Sequence, residues 1–238
     1  MEQGGITVIT VVRNAAEALE TTIQSVIGHL APGIEYIIID GASTDGTREV
    51  IRRHESRLKV WQSAHDNGVY DAMNKGWALA DMDSWVLYLG AGDKLLSLPD
   101  RTWLVASGEA VVYGNVNLDG GAVFHARNRF WLKLYNSVHH QALLVPKRLH
   151  LEPPFNLVYP LYADFDFNQR LLKKGAEFRF APDFRAYAAS DGMTRDLDIE
   201  ELAAVTRKNF GCLWSGLARI GFALSQRFAP IRRLRPIH

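Results

Sequence analysis

Two polar stretches that could bind a charged ligand each begin where a run of apolar residues ends. The first is Asp40-Gly41-Ala42-Ser43-Thr44-Asp45-Gly46-Thr47, which follows the apolar residues 36–39. The carboxylate of Asp40 can accept the N–H groups of a heterocyclic base such as uracil, and Asp45 can cap the helix that follows. A tight turn with a helix cap explains this stretch about equally well.

The second stretch is Gly90-Ala91-Gly92-Asp93, directly after the apolar run 85–89. A carboxylate at this place can coordinate a hard cation, which in turn can bridge the two phosphates of a nucleoside diphosphate. Magnesium or manganese would lower the cost of the charge that builds on a leaving diphosphate. The simpler alternative is a glycine-rich turn with a solvated Asp93.

Between these stretches, residues 65–76 read His-Asp-Asn-Gly-Val-Tyr-Asp-Ala-Met-Asn-Lys-Gly. On a helix, Asp71 and Lys75 lie one turn apart, and Tyr70 and Asn74 form a second such pair on the neighbouring stripe. A cluster of this kind can hold ribose and phosphate groups. An ordinary surface ion pair explains Asp71 and Lys75 equally well.

The apolar pattern predicts the elements that must position these residues. The β-branched run 6–12 is typical of a strand buried on both faces of a parallel sheet. Asn14 can cap the next helix, whose apolar residues recur at helical spacing over 18–27. Further strands are predicted at 36–39, 58–61 and 85–89, and a helix over 70–79.

This alternation predicts right-handed βαβ units, and so an α/β fold whose open, mostly parallel central sheet has helices on both faces. Ligands of such sheets bind at the carboxyl ends of the strands. The same edge of the sheet should therefore hold Arg13, the loop that begins at Asp40 and the loop that ends at Asp93.

The regular alternation weakens after about residue 110, where the pattern predicts a small antiparallel region. The predicted elements are strands at 111–116 and 122–126 around a turn at 119–121, a strand at 141–145, a helix over 164–174 that ends at Gly175, two further short strands and a C-terminal helical region. We see no internal repeat and no linker long enough to divide domains.

Taken together, these polar stretches follow one another along the chain at the first strand, the second strand, the helix and the fourth strand of the predicted fold. In this arrangement the chain resembles the family 2 inverting glycosyltransferases, which have the nucleotide-diphospho-sugar transferase fold. The resemblance covers about residues 5–195 and rests on residues 10–14, 40–47, 66–76 and 90–93. The sequence of residues 70–75 resembles that of the family branch that builds bacterial exopolysaccharide and O-antigen units, including the colanic acid type.

The resemblance implies a role for each matching position. The implied donor-binding residues are Thr10, Val12, Arg13, Asp40, Asp71, Lys75, Gly92 and Asp93. Among these, Asp40 would recognise the base, and Asp93 would match the last carboxylate of the metal-binding motif, with Mn²⁺ or Mg²⁺ as the cofactor. The chain departs from the commoner family pattern at Gly90 and Gly92, where many relatives have Asp or Asn.

The acceptor half contains an acidic doublet at Asp164 and Asp166. Inverting transfer needs a base for the acceptor hydroxyl, and the resemblance implies that Asp164 is this catalytic base, whereas Asp166 points elsewhere. The alternative is that Asp164 only caps its helix. The adjacent histidines His139 and His140 lack a third ligand at suitable spacing, so a zinc site is not expected there. We predict that His140 and Gln141 are acceptor-side or structural hydrogen-bonding residues. Residues 190–194 resemble a loop that closes over the donor, or a flexible connector.

Composition is compatible with one soluble enzyme domain. The chain has 238 residues, 47% hydrophobic and 22% charged, so it can bury a full core. Its single cysteine, Cys212, excludes an intrachain disulfide, and neither a signal peptide nor an apolar run of about 18 residues is apparent. We expect a cytoplasmic enzyme.

The C-terminal part has a distinct character. No acidic residue follows Glu201, whereas seven basic residues do: Arg207, Lys208, Arg219, Arg227, Arg232, Arg233 and Arg235. Large apolar residues recur among them from Phe210 to Phe228. We predict a glycosyltransferase domain at 1–198 and an amphipathic, basic helical tail at 199–238 that contacts the cytoplasmic face of the inner membrane peripherally. A helix packed on the domain or on a second subunit is the alternative.

The sequence thus predicts an inverting glycosyltransferase that moves a sugar from a UDP- or GDP-type donor to a surface-polysaccharide or lipid-linked oligosaccharide acceptor. A non-catalytic sugar-nucleotide-binding relative is the alternative, which the glycines at 90 and 92 make plausible. A sugar nucleotidyltransferase should open with a glycine-rich, basic phosphate loop, which residues 12–16 are not. Nucleic acid is not an expected partner, because the basic residues gather in the tail without a stacking platform.

Overall fold

A computed structural model of the chain describes residues 5–127, 130–150, 152–189 and 198–228. The strands in this part are β1 Gly5–Val12, β2 Ile34–Asp40, β3 Val60–Ser63, β4 Ser84–Gly90, β5 Lys94–Ser97, β6 Val111–Leu118, β7 Val123–Phe124, β8 Leu143–Pro146 and β9 Phe178–Ala188. The α-helices are α1 Ala16–Ile27, α2 Thr47–Arg53, α3 Val69–Leu79, α4 Arg101–Ala106, α5 Ala163–Lys173, α6 Ile199–Phe210 and α7 Cys212–Phe228.

The strands form one mixed sheet in the order β3-β2-β1-β4-β8-β6-β9-β5, with β7 paired to β6. The four strands β3, β2, β1 and β4 are parallel. The strand β8 runs antiparallel between β4 and β6, and so joins the parallel half to the second half. The predicted α/β fold with a mostly parallel sheet and an antiparallel region is confirmed.

The core lies on both faces of the parallel half, as the β-branched run of β1 predicts. Ile9 and Val11 face one apolar cluster together with residues of α3 and α5, whereas Val8 faces the other with residues of α1 and α2. This alternation is the period-two geometry of a strand covered by helices on both sides. On α3, Gly76 lets the helix approach closely, since an added Cβ would lie 2.4 Å from Ile9 Cγ2.

Three details of the predicted elements are wrong. Asn14 does not cap α1, because its backbone is left-handed (φ 50°) and its side chain turns towards the next loop, accepting the Thr44 N–H. The two short strands expected before the C-terminal helices are the single strand β9, which pairs with both β6 and β5. The elements β5 and α4 were not predicted.

The last two helices form an antiparallel pair against the domain. The carboxylate of Asp198 accepts the N–H groups of Glu200 and Glu201 and so caps α6, and Gly211 (φ 90°) separates α6 from α7. Leu202 of α6 belongs to the same apolar cluster as residues of α5. The division at residue 198 stays a prediction. Among the described helices, none has the length and apolarity of a membrane span.

Candidate active site

The carboxyl ends of β1, β2 and β4 meet at one edge of the sheet. Val12 pairs with Asp40 on one side, and Val11 pairs with Gly90 on the other. Neighbouring strands lie about 4.8 Å apart. The loops that begin at Asp40 and Gly90 therefore flank the end of β1, as the carboxyl-edge rule predicts.

Asp40 is fully buried at this edge. Its oxygens accept the Ser43 N–H at 3.2 Å and the hydroxyls of Ser43 and Ser63, each at 2.5 Å. The carboxylate thus closes the turn after β2 and ties it to β3. A nucleotide base can reach these oxygens only by replacing one of the hydroxyl donors.

The loops after β1 and β2 are connected by hydrogen bonds. Ser43 Oγ accepts the Asn14 N–H at 2.7 Å, and the Asp45 carboxylate accepts the N–H groups of Ala16 and Thr47, the first residues of α1 and α2. Arg13 is exposed beside these loops. Its neighbours on the strand differ: the Thr10 side chain is buried against the Tyr36 hydroxyl. Val12 is also buried in the core.

The segment before α3 packs onto the same loops. An added Cβ at Gly41 would lie 2.3 Å from Asp66 Oδ2, so only glycine leaves room for this carboxylate. Lys75 Nζ lies 3.0 Å from Asp71 Oδ2 and donates to the His65 carbonyl at 2.8 Å. The Asn67 N–H, and then Lys75, hold the pKa of Asp71 below its usual value. The predicted ion pair exists and borders the edge.

Asp93 lies inside the loop after β4, with only 5% of its surface exposed. Its Oδ2 accepts the Gly90 N–H at 2.8 Å and the Gln141 Nε2–H at 3.2 Å, and its Oδ1 accepts the Ala189 N–H at 3.0 Å. Burial raises the pKa of Asp93, although attraction to His140 opposes this effect. The carboxylate is thus held in place by backbone and side-chain donors from three segments.

Asp164 lies in the first turn of α5 and is 8% exposed. Its Oδ1 accepts the Phe165 N–H at 2.7 Å and the Tyr70 hydroxyl at 3.1 Å. Its Oδ2 accepts the Asn136 Nδ2–H at 2.8 Å and lies 3.5 Å from His140 Nδ1. Burial alone would raise the pKa of Asp164, but His140, the Phe165 N–H and the Asn136 amide together outweigh it and lower the pKa.

His140 and Gln141 connect the two carboxylates. Gln141 donates to Asp93, and the next residue back, His140, contacts Asp164. Burial disfavours the charged imidazole, yet the hydrogen bond to Asp164 and the charges of Asp164 and Asp93 raise the pKa of His140. One dipeptide thereby holds a carboxylate from the parallel half and one from α5 in a single polar cluster.

Comparison with known proteins identifies the family to which this chain belongs. Residues 7–95 match the family model "Glycosyl transferase family 2". The chain is 33% identical over 177 residues to the PGL/p-HBAD biosynthesis glycosyltransferase of Mycobacterium bovis (strain BCG / Pasteur 1173P2), and the alignment covers 68% of each chain. The chain belongs to glycosyltransferase family 2. It is therefore an enzyme that transfers a sugar, and these matches do not support the non-catalytic alternative.

Solved structures agree on the fold of this family 2 glycosyltransferase. S. aureus TarS 1-349 in complex with UDP-GlcNAc superimposes with a TM-score of 0.64 at 13% identity, covering 86% of this chain and 65% of that one. A longer TarS chain is covered over only 38% of its length. The mannosyltransferase PcManGT from Pyrobaculum calidifontis, in complex with GDP-Man and Mn²⁺, gives 0.59 at 17% identity, covering 95% and 76%.

The described part of this glycosyltransferase offers few protein ligands for a metal ion. Within the described ranges, no group of three or more His, Cys, Asp and Glu side chains could hold a metal ion. Asp93 contributes one buried carboxylate, a hard oxygen ligand. Magnesium-type ions are commonly held by one or two carboxylates together with substrate phosphates. The residues present therefore fit a cation bound jointly by Asp93 and a diphosphate, and do not form a closed protein site.

Several polar residues of the cluster have roles that sequence reasoning missed. Tyr70 and Asn136 both donate to Asp164, but they lie 94 and 28 positions away in the sequence, so no local spacing reveals the contacts. Asn74 bonds the backbone of Phe155 at 2.9 Å, and so it fastens a loop of the second half and does not face the donor side. Asp66 fills the space above Gly41.

Asp166 points away from the cluster, as expected. It is fully buried and accepts the Arg170 Nε–H at 2.7 Å and the Asn209 Nδ2–H at 3.0 Å, and so it joins α5 to α6. The expected donor-closing loop at residues 190–194 lies outside the described residues.

Proposed function

We propose that this glycosyltransferase moves a sugar, with inversion at the anomeric carbon, from a UDP- or GDP-type donor to a bacterial surface-polysaccharide or lipid-linked oligosaccharide acceptor. The related folds that support this donor class are complexes with UDP-GlcNAc and with GDP-Man and Mn²⁺. The observation that carries the proposal is the His140–Gln141 connection between Asp93 and Asp164, because transfer needs a diphosphate-binding group and a base in one cluster.

The donor half of the proposal uses the edge formed by β1, β2 and β4. Arg13 is the exposed cation beside the nucleotide, and Asp40 recognises the base after exchanging a serine hydroxyl for a base N–H. Asp71 and Lys75 border the ribose, the diphosphate or the donor sugar. Gly92 would contribute its backbone beside the donor; its φ of 100° favours glycine, and an added Cβ would lie 3.1 Å from the Ala189 Cβ.

Asp93 would hold Mn²⁺ or Mg²⁺ together with the donor diphosphate. When bound, the ion supplies positive charge that stabilises the leaving diphosphate. The buried carboxylate contributes its fixed position, since three hydrogen bonds orient it before the donor arrives. A carboxylate oriented in this way loses little conformational entropy on binding.

The acceptor half depends on Asp164 as the catalytic base. We assign its Oδ2 to accept the proton, because the 3.5 Å contact of this oxygen to His140 is the longest that the carboxylate makes. An acceptor hydroxyl placed there gives its proton to Oδ2 while its oxygen forms the bond to the anomeric carbon. The bond from that carbon to the diphosphate oxygen breaks with its electron pair leaving on the diphosphate, so one displacement inverts the centre.

Two variants test these roles separately. Asp164→Asn keeps the shape but removes the base, so transfer should fall about 10²- to 10⁴-fold while UDP- or GDP-sugar still raises the melting temperature. Asp93→Asn should remove the extra stabilisation that Mn²⁺ adds to the donor's effect. Asp83→Asn, at an exposed surface pair, is the control. Full transfer activity in both site variants would show that the assignment is wrong.

The stereochemistry and the donor need their own measurements. Thermal shifts across UDP-, GDP- and dTDP-sugars, with and without Mn²⁺, identify the donor, because ligand binding to the folded state raises the midpoint. Proton NMR of the first product then reports its anomeric configuration. Retention of the donor configuration would exclude the single displacement at Asp164.

The location of the enzyme is part of the proposal. We expect a cytoplasmic protein that contacts the inner membrane peripherally through the basic C-terminal tail, beside a lipid-linked acceptor. Support comes from the seven basic residues after Glu201. Arg232, Arg233 and Arg235 of this tail lie outside the described residues, so the argument for a particular surface has to rest on α7 and its neighbours.

A further inference from the structure

The outer side of α7 carries an apolar stripe. Leu213, Leu217 and Ile220 recur at i, i+4 and i+7 and are 75%, 43% and 59% exposed. On the opposite side of the helix, Ser215 and Ala218 are buried, and the Ser215 hydroxyl donates to the Ala203 carbonyl of α6 at 2.9 Å. The helix is therefore already packed through its small residues, and its large apolar residues face outwards.

A 3-10 turn at Trp131–Lys133 extends this stripe. Phe130 and Trp131 are 55% and 40% exposed, and the Phe130 ring meets the Trp214 ring edge-on with 5.6 Å between centroids. We call the exposed residues of the turn and of the helix together the apolar face. It consists of Phe130, Trp131, Leu213, Leu217 and Ile220.

Cationic side chains border the apolar face. Lys133 Nζ lies 4.7 Å above the Trp214 ring, and Arg127 Cζ lies 5.4 Å from the Trp131 ring centre. From residue 202 onward the sequence contains basic side chains and no acidic ones. Tryptophan, aliphatic residues and cations on one surface are the combination that binds the interface of an anionic bilayer.

We propose that the apolar face docks on an anionic lipid bilayer. A second copy of the chain would complement the face less well, because a two-fold interface places identical surfaces together and would bring the cations of both copies into proximity. An anionic bilayer offers both apolar depth for Phe130 and Leu213 and negative charge for Lys133 and Arg127.

The apolar face is rigidly connected to the candidate base. Gln169 of α5 donates to the Leu132 carbonyl inside the turn at 3.0 Å, and Asn136, three residues after the turn, donates to Asp164 at 2.8 Å. Docking would therefore hold the acceptor side of the site close to the lipid headgroups. This second step, which makes a lipid-linked glycan the acceptor class, rests on the proposed function, whereas the docking itself does not.

Vesicle flotation of the full chain tests the docking. We expect binding to phosphatidylglycerol-containing vesicles, weak binding to pure phosphatidylcholine and release by salt, since screening weakens attraction to the surface charge. Leu213→Glu and Phe130→Glu should each lower the bound fraction at least tenfold. Met82→Glu, at a 56% exposed residue of the turn before β4, is the matched control and should leave binding unchanged.

Three results would overturn the docking proposal: no flotation of the wild-type chain, equal binding to both vesicle types, or full binding of Leu213→Glu and Phe130→Glu. If Leu213→Glu instead converts a dimer to a monomer without changing flotation, the face is a contact between copies. Donor-induced thermal shifts of Leu213→Glu should match the wild type. Loss of flotation with normal donor binding separates the docking surface from the sugar-transfer site.

Discussion

The charge of His140 gives the most direct access to the chemistry of the site. His140→Gln replaces an imidazole that can carry a charge with a neutral amide of similar length. It should leave the other three donors to Asp164 in place, because these come from Tyr70, Asn136 and the Phe165 backbone. The variant therefore changes the electrostatic environment of the candidate base more than its position.

The expected effect follows from the distance between the two charges. His140 Nδ1 and Asp164 Oδ2 are 3.5 Å apart, and opposite charges near this distance attract by about 4 kcal/mol at an effective dielectric constant near 20. Desolvation offsets part of this, and a nearby opposite charge typically lowers a carboxyl pKa by about 1–3 units. Since His140 lowers the pKa of Asp164, removing its charge should raise that pKa.

The pH dependence of transfer measures this shift. A base must be ionised to accept a proton, so the rate falls as the pH drops through the pKa of Asp164. In His140→Gln the acid limb of kcat/KM should move to higher pH, because Asp164 then needs a higher pH to ionise. His139→Gln is the control, because it removes the neighbouring buried imidazole, whose pKa burial lowers to about 4, and leaves the contact of His140 with Asp164 in place. An unchanged acid limb in His140→Gln would refute the ion-pair reasoning.

Three further predictions concern stability and are checked by urea unfolding. Gly114→Ala should lower the free energy of unfolding by about 3 kcal/mol, because its Cβ would lie 2.0 Å from the Phe184 carbonyl oxygen, which belongs to the backbone. Asp166→Ala should cost about 3–5 kcal/mol, since it removes the carboxylate 2.7 Å from Arg170 and leaves this charge with only the Pro154 carbonyl as a hydrogen-bond acceptor. Burial lowers the pKa of His150 to about 3, so only the unfolded chain gains a proton near pH 6 and stability should decline as the pH falls below about 6.5. His150→Phe should reduce this decline, and the remainder is due to His139, whose pKa burial lowers to about 4. An unchanged slope would contradict the assignment to His150.

The parallel half of the fold could be predicted because its determinants are local. The run 6–12 places Ile9 and Val8 in different apolar clusters, which is what a β-branched strand covered on both faces must do. The carboxyl-edge rule then brings together the loops after β1, β2 and β4, and the register of Val12 with Asp40 confirms their proximity.

The remaining details depend on contacts that spacing does not encode. Asn14 appears in the sequence as a helix cap, but Ser43 and Thr44 of the next loop bind it and hold it in a left-handed conformation. The long strand β9 exists because two separate partners, β6 and β5, pair with it. Contacts between segments that are far apart in the sequence can be identified only from the three-dimensional structure.

The structure gives a physical reason for the glycines at residues 90 and 92, where the chain departs from the commoner family pattern. Gly92 has a φ of 100°, and an added Cβ would lie 3.1 Å from the Ala189 Cβ, so a side chain there would strain the loop. An added Cβ at Gly90 would lie 3.3 Å from Asp93 Oδ2, where a second carboxylate would repel the first. The loop thus contains a single carboxyl group, that of Asp93. The electrostatic environment of this group therefore depends strongly on its ionisable neighbour.

That neighbour is His140, whose pKa both Asp93 and Asp164 raise. With a single carboxyl group on each side, the His140 ring interacts with two acidic groups that come from different halves of the fold. A change of charge at Asp93 must therefore alter how strongly His140 stabilises ionised Asp164, because all three groups interact through the same buried region. The donor side and the acceptor side of the cluster are electrostatically coupled even though the two carboxylates share no hydrogen bond.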